Sequence, residues 1–82
     1  IDGIDEQLLE LLAKRMRISR EIGVYKKEHN MPILQSPRYS EILEKRSNMG
    51  EQMDLSTEFV KEILKEIHEE SVRQQMIIMN EQ

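Results

Sequence analysis

The chain has 82 residues with a formal net charge of −4, no cysteine, no tryptophan, one phenylalanine and two tyrosines. A chain of this length forms one domain and buries only about 60% of the surface that its unfolded state exposes. Without cysteine, neither disulfides nor thiolate metal sites supply the missing stability, so we expect a partner chain. The negative charge and the lack of a basic stripe argue against nucleic-acid binding.

Other classes of protein are also disfavoured. No apolar run approaches the ~18 residues of a membrane span, and the start of the chain does not resemble a signal peptide, so we expect a cytoplasmic protein. The two histidines, His29 and His68, lack metal-ligand spacing, and the chain has no glycine-rich phosphate loop. We therefore predict no metal and no cofactor. The composition favours an all-α fold.

A stripe with spacing of three and four residues predicts a long first helix over residues 2–28. Arg15 interrupts this stripe, and Lys26 follows about 20° away around the axis and roughly 16 Å along it. Two cations on one face leave room for a small dianion above Ile18 and Ile22. Alternatively, Arg15 extends past the core or pairs with a glutamate, and Lys26 is a solvated lysine at a helix end. The stripe consists of Ile4, Leu8, Leu11, Arg15, Ile18, Ile22, Tyr25 and His29.

A glycine in the middle of this helix needs an explanation. Gly23 costs about 1 kcal/mol of helix propensity relative to alanine. It indicates either close approach of another backbone or ligand, or simple tolerance.

Pro32 ends the first helix, and a loop over residues 31–35 follows. Ser36 as N-cap and Pro37 at the first helical position predict a short second helix over residues 37–49, with Gly50 as its terminator. Arg38 lies in the first turn, where a cation is unfavourable unless an anion lies nearby.

A second loop over residues 48–54 leads to a third helix over residues 57–79, which Ser56 caps. The inner stripe of this helix becomes polar at Ser71 and Gln75, one turn apart. Buried side chains of this kind need hydrogen-bond partners, and either core groups or a polar ligand would serve. The first helix, at about 40 Å, is too long to be covered by the other two, and we expect it to pack on a second copy of itself.

The residues resemble a specific family. They are Ile1-Asp2-x-Ile4-Asp5-x-x-Leu8-Leu9-x-Leu11-Leu12-x-x-Arg15, Ile22-Gly23-x-x-Lys26, Pro32-Ile33, Arg38 and Glu70-Ser71-x-x-x-Gln75. The chain is similar over essentially its whole length to the all-helical chorismate mutases. The resemblance implies an intertwined homodimer of three-helix protomers with two active sites. It also implies the pericyclic rearrangement of chorismate, a small dicarboxylate, to prephenate in phenylalanine and tyrosine biosynthesis.

The resemblance also assigns roles. Arg15 would clamp a substrate carboxylate with help from Ser71, and Lys26 would contact the other carboxylate and the ether oxygen. Gln75 would donate an amide N–H to that oxygen, and Arg38 would add positive potential. The reaction needs no nucleophile or proton transfer, which fits a chain without any motif for covalent catalysis.

The chain departs from the family pattern in two places. The family usually supplies a further arginine from just upstream of Ile1 to the partner's site, whereas this sequence starts at Ile1. Where the family often has acidic residues that bind the substrate hydroxyl, this chain has Gln35 and Tyr39, which also form hydrogen bonds. Because the sequence starts without methionine, we expect that residues are missing upstream through processing, disorder or excision from a longer polypeptide. We expect residues 1–82 to form one chorismate mutase domain, and a longer bifunctional chain of the same pathway is one source of it.

Three other functions stay open at this point. An isochorismate pyruvate lyase would use the same scaffold, and a helical dimerisation or regulatory module would bind an aromatic-pathway ligand without turnover. An acidic helical hairpin would bind a partner helix through its methionine and leucine face.

Overall fold

The computed structural model describes residues 1–33 and 36–81, except for the side chains of residues 36–38. It contains three helices: α1 (Asp2–Glu28), α2 (Ser36–Gln52) and α3 (Thr57–Asn80). The described residues include no strand. The predicted all-α class with three helices is confirmed.

The predicted bounds of α1 are confirmed. Asp2 and Asp5 lie in its first turn and Lys26 and Lys27 in its last, so the charges complement the helix dipole. The helix ends where Asn30 adopts a left-handed conformation with φ of 53°, which asparagine tolerates better than most residues. The backbone N–H of Met31 then donates to the Lys26 carbonyl at 2.8 Å.

The predicted end of α2 is wrong. The helix continues through Gly50 to Gln52, so the following loop is shorter than expected, and the residue with positive φ is Asp54, at 62°. Gly50 serves a close contact instead of a helix end. A Cβ at this position would lie 2.7 Å from Cγ2 of Val60.

The predicted start of α3 is confirmed, and its predicted end differs by one residue. The Ser56 hydroxyl accepts a 3.4 Å hydrogen bond from the backbone N–H of Phe59, so the predicted N-cap is confirmed. The helix ends at Asn80, one residue beyond the expected end.

The chain divides into two compact units. The first contains Ile1–Ile33 and Glu70–Gln82, so it pairs α1 with the last part of α3. The second contains Leu34–Glu69, and in it Ser47, 2% exposed, donates to the Leu43 carbonyl at 2.7 Å.

The buried side chains of the single chain are polar ones. Among the side chains that the structure describes, no hydrophobic residue is buried, whereas Ser19, Ser47 and Gln75 are. The apolar stripe of α1 is exposed, for example Leu8 at 53% and Leu11 at 64%. The buried face of α1 is instead Ser19 and Gly23. The stripe is therefore available to a partner, and packing on a second copy stays a prediction.

Two properties of the described residues bear on the class of protein. None of the described helices is both long and apolar enough to cross a membrane. No group of three or more acidic or histidine side chains in the described part of the chain could hold a metal ion. The cytoplasmic location stays a prediction.

Candidate active site

Gly23 brings α1 and α3 into close contact in the first unit. A Cβ at Gly23 would lie 3.1 Å from Cα of Gln75 and 3.3 Å from Cβ of Ile78. Both distances are shorter than ordinary carbon contacts of about 3.5–4.0 Å. Of the two explanations left open by the sequence, close approach of another helix is the right one.

Lys26, about one turn after Gly23 on α1, contacts the same Gln75 of α3. The ammonium of Lys26 donates to Oε1 of Gln75 at 3.2 Å and to the backbone carbonyl of Ile33 at 2.7 Å. Gln75 is 7% exposed. Because Oε1 accepts from Lys26, Nε2 is the atom of this amide that remains to donate to a ligand. An ammonium has three donors, and these two contacts leave one for an anionic ligand.

The environment of Lys26 perturbs its ionisation. Desolvation by burial lowers the pKa of Lys26 from its ordinary value. A partly desolvated ammonium has lost favourable contacts with water, so it gains more from an incoming anion than a fully solvated one does. The structure therefore places a cation that favours an anion next to a fixed amide donor.

A pair of serine hydroxyls lies on the same face toward the start of α1. Oγ of Ser19 and Oγ of Ser71 are 2.5 Å apart, and the Ser19 hydroxyl donates to the Arg15 carbonyl at 3.1 Å. Ser19 is 5% exposed and Ser71 is half-buried. The hydrogen-bond partner that Ser71 requires is thus a serine on α1.

Arg15 lies one turn before Ser19 and is exposed in the single chain. The order along this face of α1 is Arg15, Ser19, Gly23 and Lys26, with cations at both ends and two small residues between them. Such a face presents charge at its ends and lets another helix approach its middle. Ile22, which was predicted to line the site, is 42% exposed.

Polar contacts beside this face hold α1 and α3 together. Arg20 donates to Gln74 at 3.2 Å, and Gln74 donates to Glu70 at 2.8 Å. Glu70 also pairs with Arg73 at 2.7 Å, and the bonds from Gln74 and Arg73 lower the pKa of the Glu70 carboxyl. Lys27 donates to the carbonyls of Ile78 and Glu81. The bonds of Arg20 and Lys27 link α1 to α3 and its end, whereas those of Glu70 lie within α3. Such contacts at or near the surface contribute little stability each.

The other predicted site residues lie in the second unit. Gln35 and the side chain of Arg38 lie outside the described residues. The ring of Tyr39 stacks on His68, with ring centroids 3.9 Å apart. Tyr39 also lines a shallow groove in that unit with Leu43 and Lys61, among others. Binding of the substrate hydroxyl by Gln35 and Tyr39 stays a prediction.

Sequence reasoning missed Ser19, because it followed the apolar stripe through Ile18 and Ile22. A signal was present, since Ser19 is four residues after Arg15 and four before Gly23. Small or polar residues at that spacing mark a second face of the helix, beside the apolar one.

Comparison with known proteins identifies the family. The family described as "Chorismate mutase type II" matches residues 1–76. The chain belongs to the chorismate mutase type II family. All eight predicted site residues lie within the matched range: Arg15, Ile22, Lys26, Gln35, Arg38, Tyr39, Ser71 and Gln75.

Curated relatives carry the same domain within longer proteins. A bifunctional chorismate mutase/prephenate dehydratase of Buchnera aphidicola subsp. Schizaphis graminum is 35% identical over 98% of this chain and 21% of its own length. The T-protein of Enterobacter agglomerans is 31% identical over 87% of this chain and 19% of its own. The bifunctional chorismate mutase/prephenate dehydratase of Escherichia coli K12 is 28% identical over 99% and 21%. The chain thus spans about a fifth of the length of these relatives.

Proposed function

We propose that this chain is a chorismate mutase domain that converts chorismate to prephenate in aromatic amino acid biosynthesis. Family membership and the names of the relatives support this activity. The observation that carries it is the contact between the Lys26 ammonium and Oε1 of Gln75. This contact places a cation and an oriented amide donor side by side, without any nucleophile being needed.

The reaction requires two things from the protein. The flexible enolpyruvyl ether must be held in its compact reactive conformer, and the negative charge that develops on the ether oxygen must be stabilised. The remaining N–H of Lys26 and Nε2 of Gln75 are the donors that converge on that oxygen. Fixed donors of this kind act without reorganising during the reaction, so they stabilise the transition state more than the substrate.

The carboxylates are bound at both ends of the α1 face. Arg15 forms a bidentate contact with one carboxylate, and Ser71 adds a hydroxyl donor. The charge of Lys26 attracts the other carboxylate, which compensates for its lost solvation, while its remaining N–H donates to the ether oxygen. Arg38, from the start of α2, adds positive potential. The predicted role of Gln35 and Tyr39 is to bind the substrate hydroxyl.

The active form that we propose is a homodimer. The apolar stripe of α1 is exposed in the single chain, including Ile4 at 66% and Leu8 at 53%, and no described hydrophobic side chain is buried. An 82-residue domain without a buried apolar core needs further burial to be stable. Sedimentation of the purified domain should give twice the chain mass, and a folded monomer at micromolar concentration would contradict the dimer.

We also propose that this domain belongs to a longer polypeptide. Because the Buchnera and Escherichia coli relatives are named as bifunctional chorismate mutase/prephenate dehydratases, we propose a fused aromatic-pathway domain here. The mass of the full-length polypeptide would test this, since a chain of about 82 residues in the cell excludes a fusion.

The decisive experiment follows the loss of chorismate absorbance with purified protein. Lys26→Ala should lower kcat/KM by at least about 10²-fold, the usual loss for one donor to a developing oxyanion. Lys27→Ala is the matched control, because Lys27 is also half-buried but donates to the end of α3. Absence of turnover would favour a ligand-binding module, and pyruvate release from isochorismate would assign the lyase.

A further inference from the structure

The hydrogen bonds of Ser19 and Ser71 have a direction that follows from counting protons. Each hydroxyl has one proton to donate and two lone pairs to accept with. The Ser19 hydroxyl donates to the Arg15 carbonyl at 3.1 Å, which uses its proton. The 2.5 Å contact between the two Oγ atoms therefore has Ser71 as donor and Ser19 as acceptor.

This direction conflicts with the role of Ser71 in substrate binding. A serine assists a carboxylate only by donating its proton, because a carboxylate is an acceptor without protons. In the ligand-free arrangement that proton belongs to the bond with Ser19. The Ser71 hydroxyl must therefore stop donating to Oγ of Ser19 before it can donate to a carboxylate.

We propose that Ser19 is a positioning residue whose hydrogen bond to Ser71 reverses direction when a substrate carboxylate binds. The inference rests on the proposed function. Ser71 turns its proton to the carboxylate, and Ser19 turns its proton from the Arg15 carbonyl to Oγ of Ser71. No proton changes its oxygen, because only the two hydroxyl torsions rotate.

The exchange is favourable for three reasons. The Arg15 carbonyl keeps the helical N–H bond that every interior carbonyl of α1 has, so losing the hydroxyl leaves it paired. Ser71 gains a charge-assisted bond in place of a neutral one. Ser19, now donating to Ser71, polarises the Ser71 hydroxyl and makes it a stronger donor. The buried position of Ser19, 5% exposed, prevents water from taking this place.

A cycle of variants tests this coupling. Ser19→Ala should raise KM for chorismate about 2- to 10-fold, the value of one neutral hydrogen bond. The value of kcat should change little, since the carboxylate is bound equally in the ground and transition states. In a Ser71→Ala background, Ser19→Ala should have no further effect on KM. Ser19→Thr, which keeps the hydroxyl, should restore KM toward that of the unmodified protein.

The chain offers a matched control for structural effects. Ser47 is also buried and also donates to the carbonyl four residues earlier, but it lies on α2. Ser47→Ala should alter only the urea midpoint, whereas Ser19→Ala should also move KM. If Ser19→Ala does not fold, Ser19→Cys replaces it, because a thiol has a similar shape and is a weak donor.

The outcomes separate this inference from the proposed function. An unchanged KM in Ser19→Ala, or an equal rise in both backgrounds, would overturn the positioning role while leaving chorismate turnover intact. If the unmodified protein does not turn over chorismate, the proposed function fails, and the same cycle is run on the Kd for chorismate by titration. Coupling in Kd would then support the hydroxyl pair alone, and no binding or no coupling would overturn it.

Discussion

Gly23→Ala is the substitution that most directly tests how the helix pair builds the site. The added methyl would meet Cα of Gln75 at 3.1 Å and Cβ of Ile78 at 3.3 Å. Because carbon contacts settle at about 3.5–4.0 Å, α3 must move by about half an ångström. The residue that moves first is Gln75, whose amide faces Lys26.

The expected effects on stability and on activity differ in size. Alanine gains about 0.5–1 kcal/mol of helix propensity, and overpacking costs about 1–3 kcal/mol, so the net loss is about 1 kcal/mol. In a domain of this size that lowers Tm by about 4–8 °C. The Lys26–Gln75 contact is already 3.2 Å and breaks if it lengthens by half an ångström. A misplacement of about 1 Å costs about 10²-fold in rate, so we expect kcat to fall about tenfold.

The assay compares kcat and thermal unfolding of three glycine variants. Gly3→Ala is the neutral control, because a Cβ there meets nothing within 4 Å. Gly50→Ala is the stability control, since its Cβ would lie 2.7 Å from Cγ2 of Val60. It should lower Tm at least as much as Gly23→Ala with a smaller loss of kcat. A Gly23→Ala protein with unchanged kcat would refute the idea that this contact positions Gln75.

Four further predictions concern the charged and amide groups. Gln75→Glu should lose activity at neutral pH, where its carboxylate repels the developing charge, and recover part of it in acid; a flat pH profile would contradict the donor role. Because burial lowers the pKa of Lys26, kcat/KM, which reports the free enzyme, should fall at a lower pH than an ordinary lysine would give. The value of kcat, which reports the complex with the dianion, should fall at a higher pH than kcat/KM. If both quantities fell at the same pH, this prediction would be contradicted. For the same reason the unfolded chain binds more protons between the lowered pKa and the ordinary lysine pKa, so the free energy of unfolding should rise with pH in that interval relative to Lys26→Met. Arg15→Lys should lower kcat/KM about tenfold or more by removing a bidentate contact, and a near-normal value would exclude the clamp.

The sequence predicted the helices well where local signals are strong. Acidic residues at the start and lysines at the end bounded α1, and Ser56 marked the start of α3. The end of α2 was missed because glycine has two uses, and the sequence does not say which applies. At Gly50 the use is contact with Val60, a partner ten residues further along the chain.

The candidate site was predictable in its residues and not in its contacts. Lys26, Ser71 and Gln75 were found from polar interruptions of apolar stripes and from the family pattern. Their pairing depends on which face of α1 meets α3, and that is decided by the small residues Ser19 and Gly23. The periodicity of apolar residues indicated the neighbouring face through Ile18 and Ile22 instead. An apolar stripe marks a face suited to burial, but it does not distinguish burial within the chain from burial against another chain.

The two faces of α1 therefore have separate functions. One face is apolar and exposed in the single chain, and the other is small and polar and lies against α3 in the first unit. Because the small face lets the helices approach closely, Lys26 and Gln75 touch and the two serine hydroxyls meet at 2.5 Å. A side chain at Gly23, or one larger than threonine at Ser19, would separate these pairs without disturbing the apolar face. Variants at Ser19 and Gly23 should thus alter catalysis without altering dimerisation. A charged residue at Leu8 should instead dissociate the two chains and leave the contacts between α1 and α3 within each chain intact.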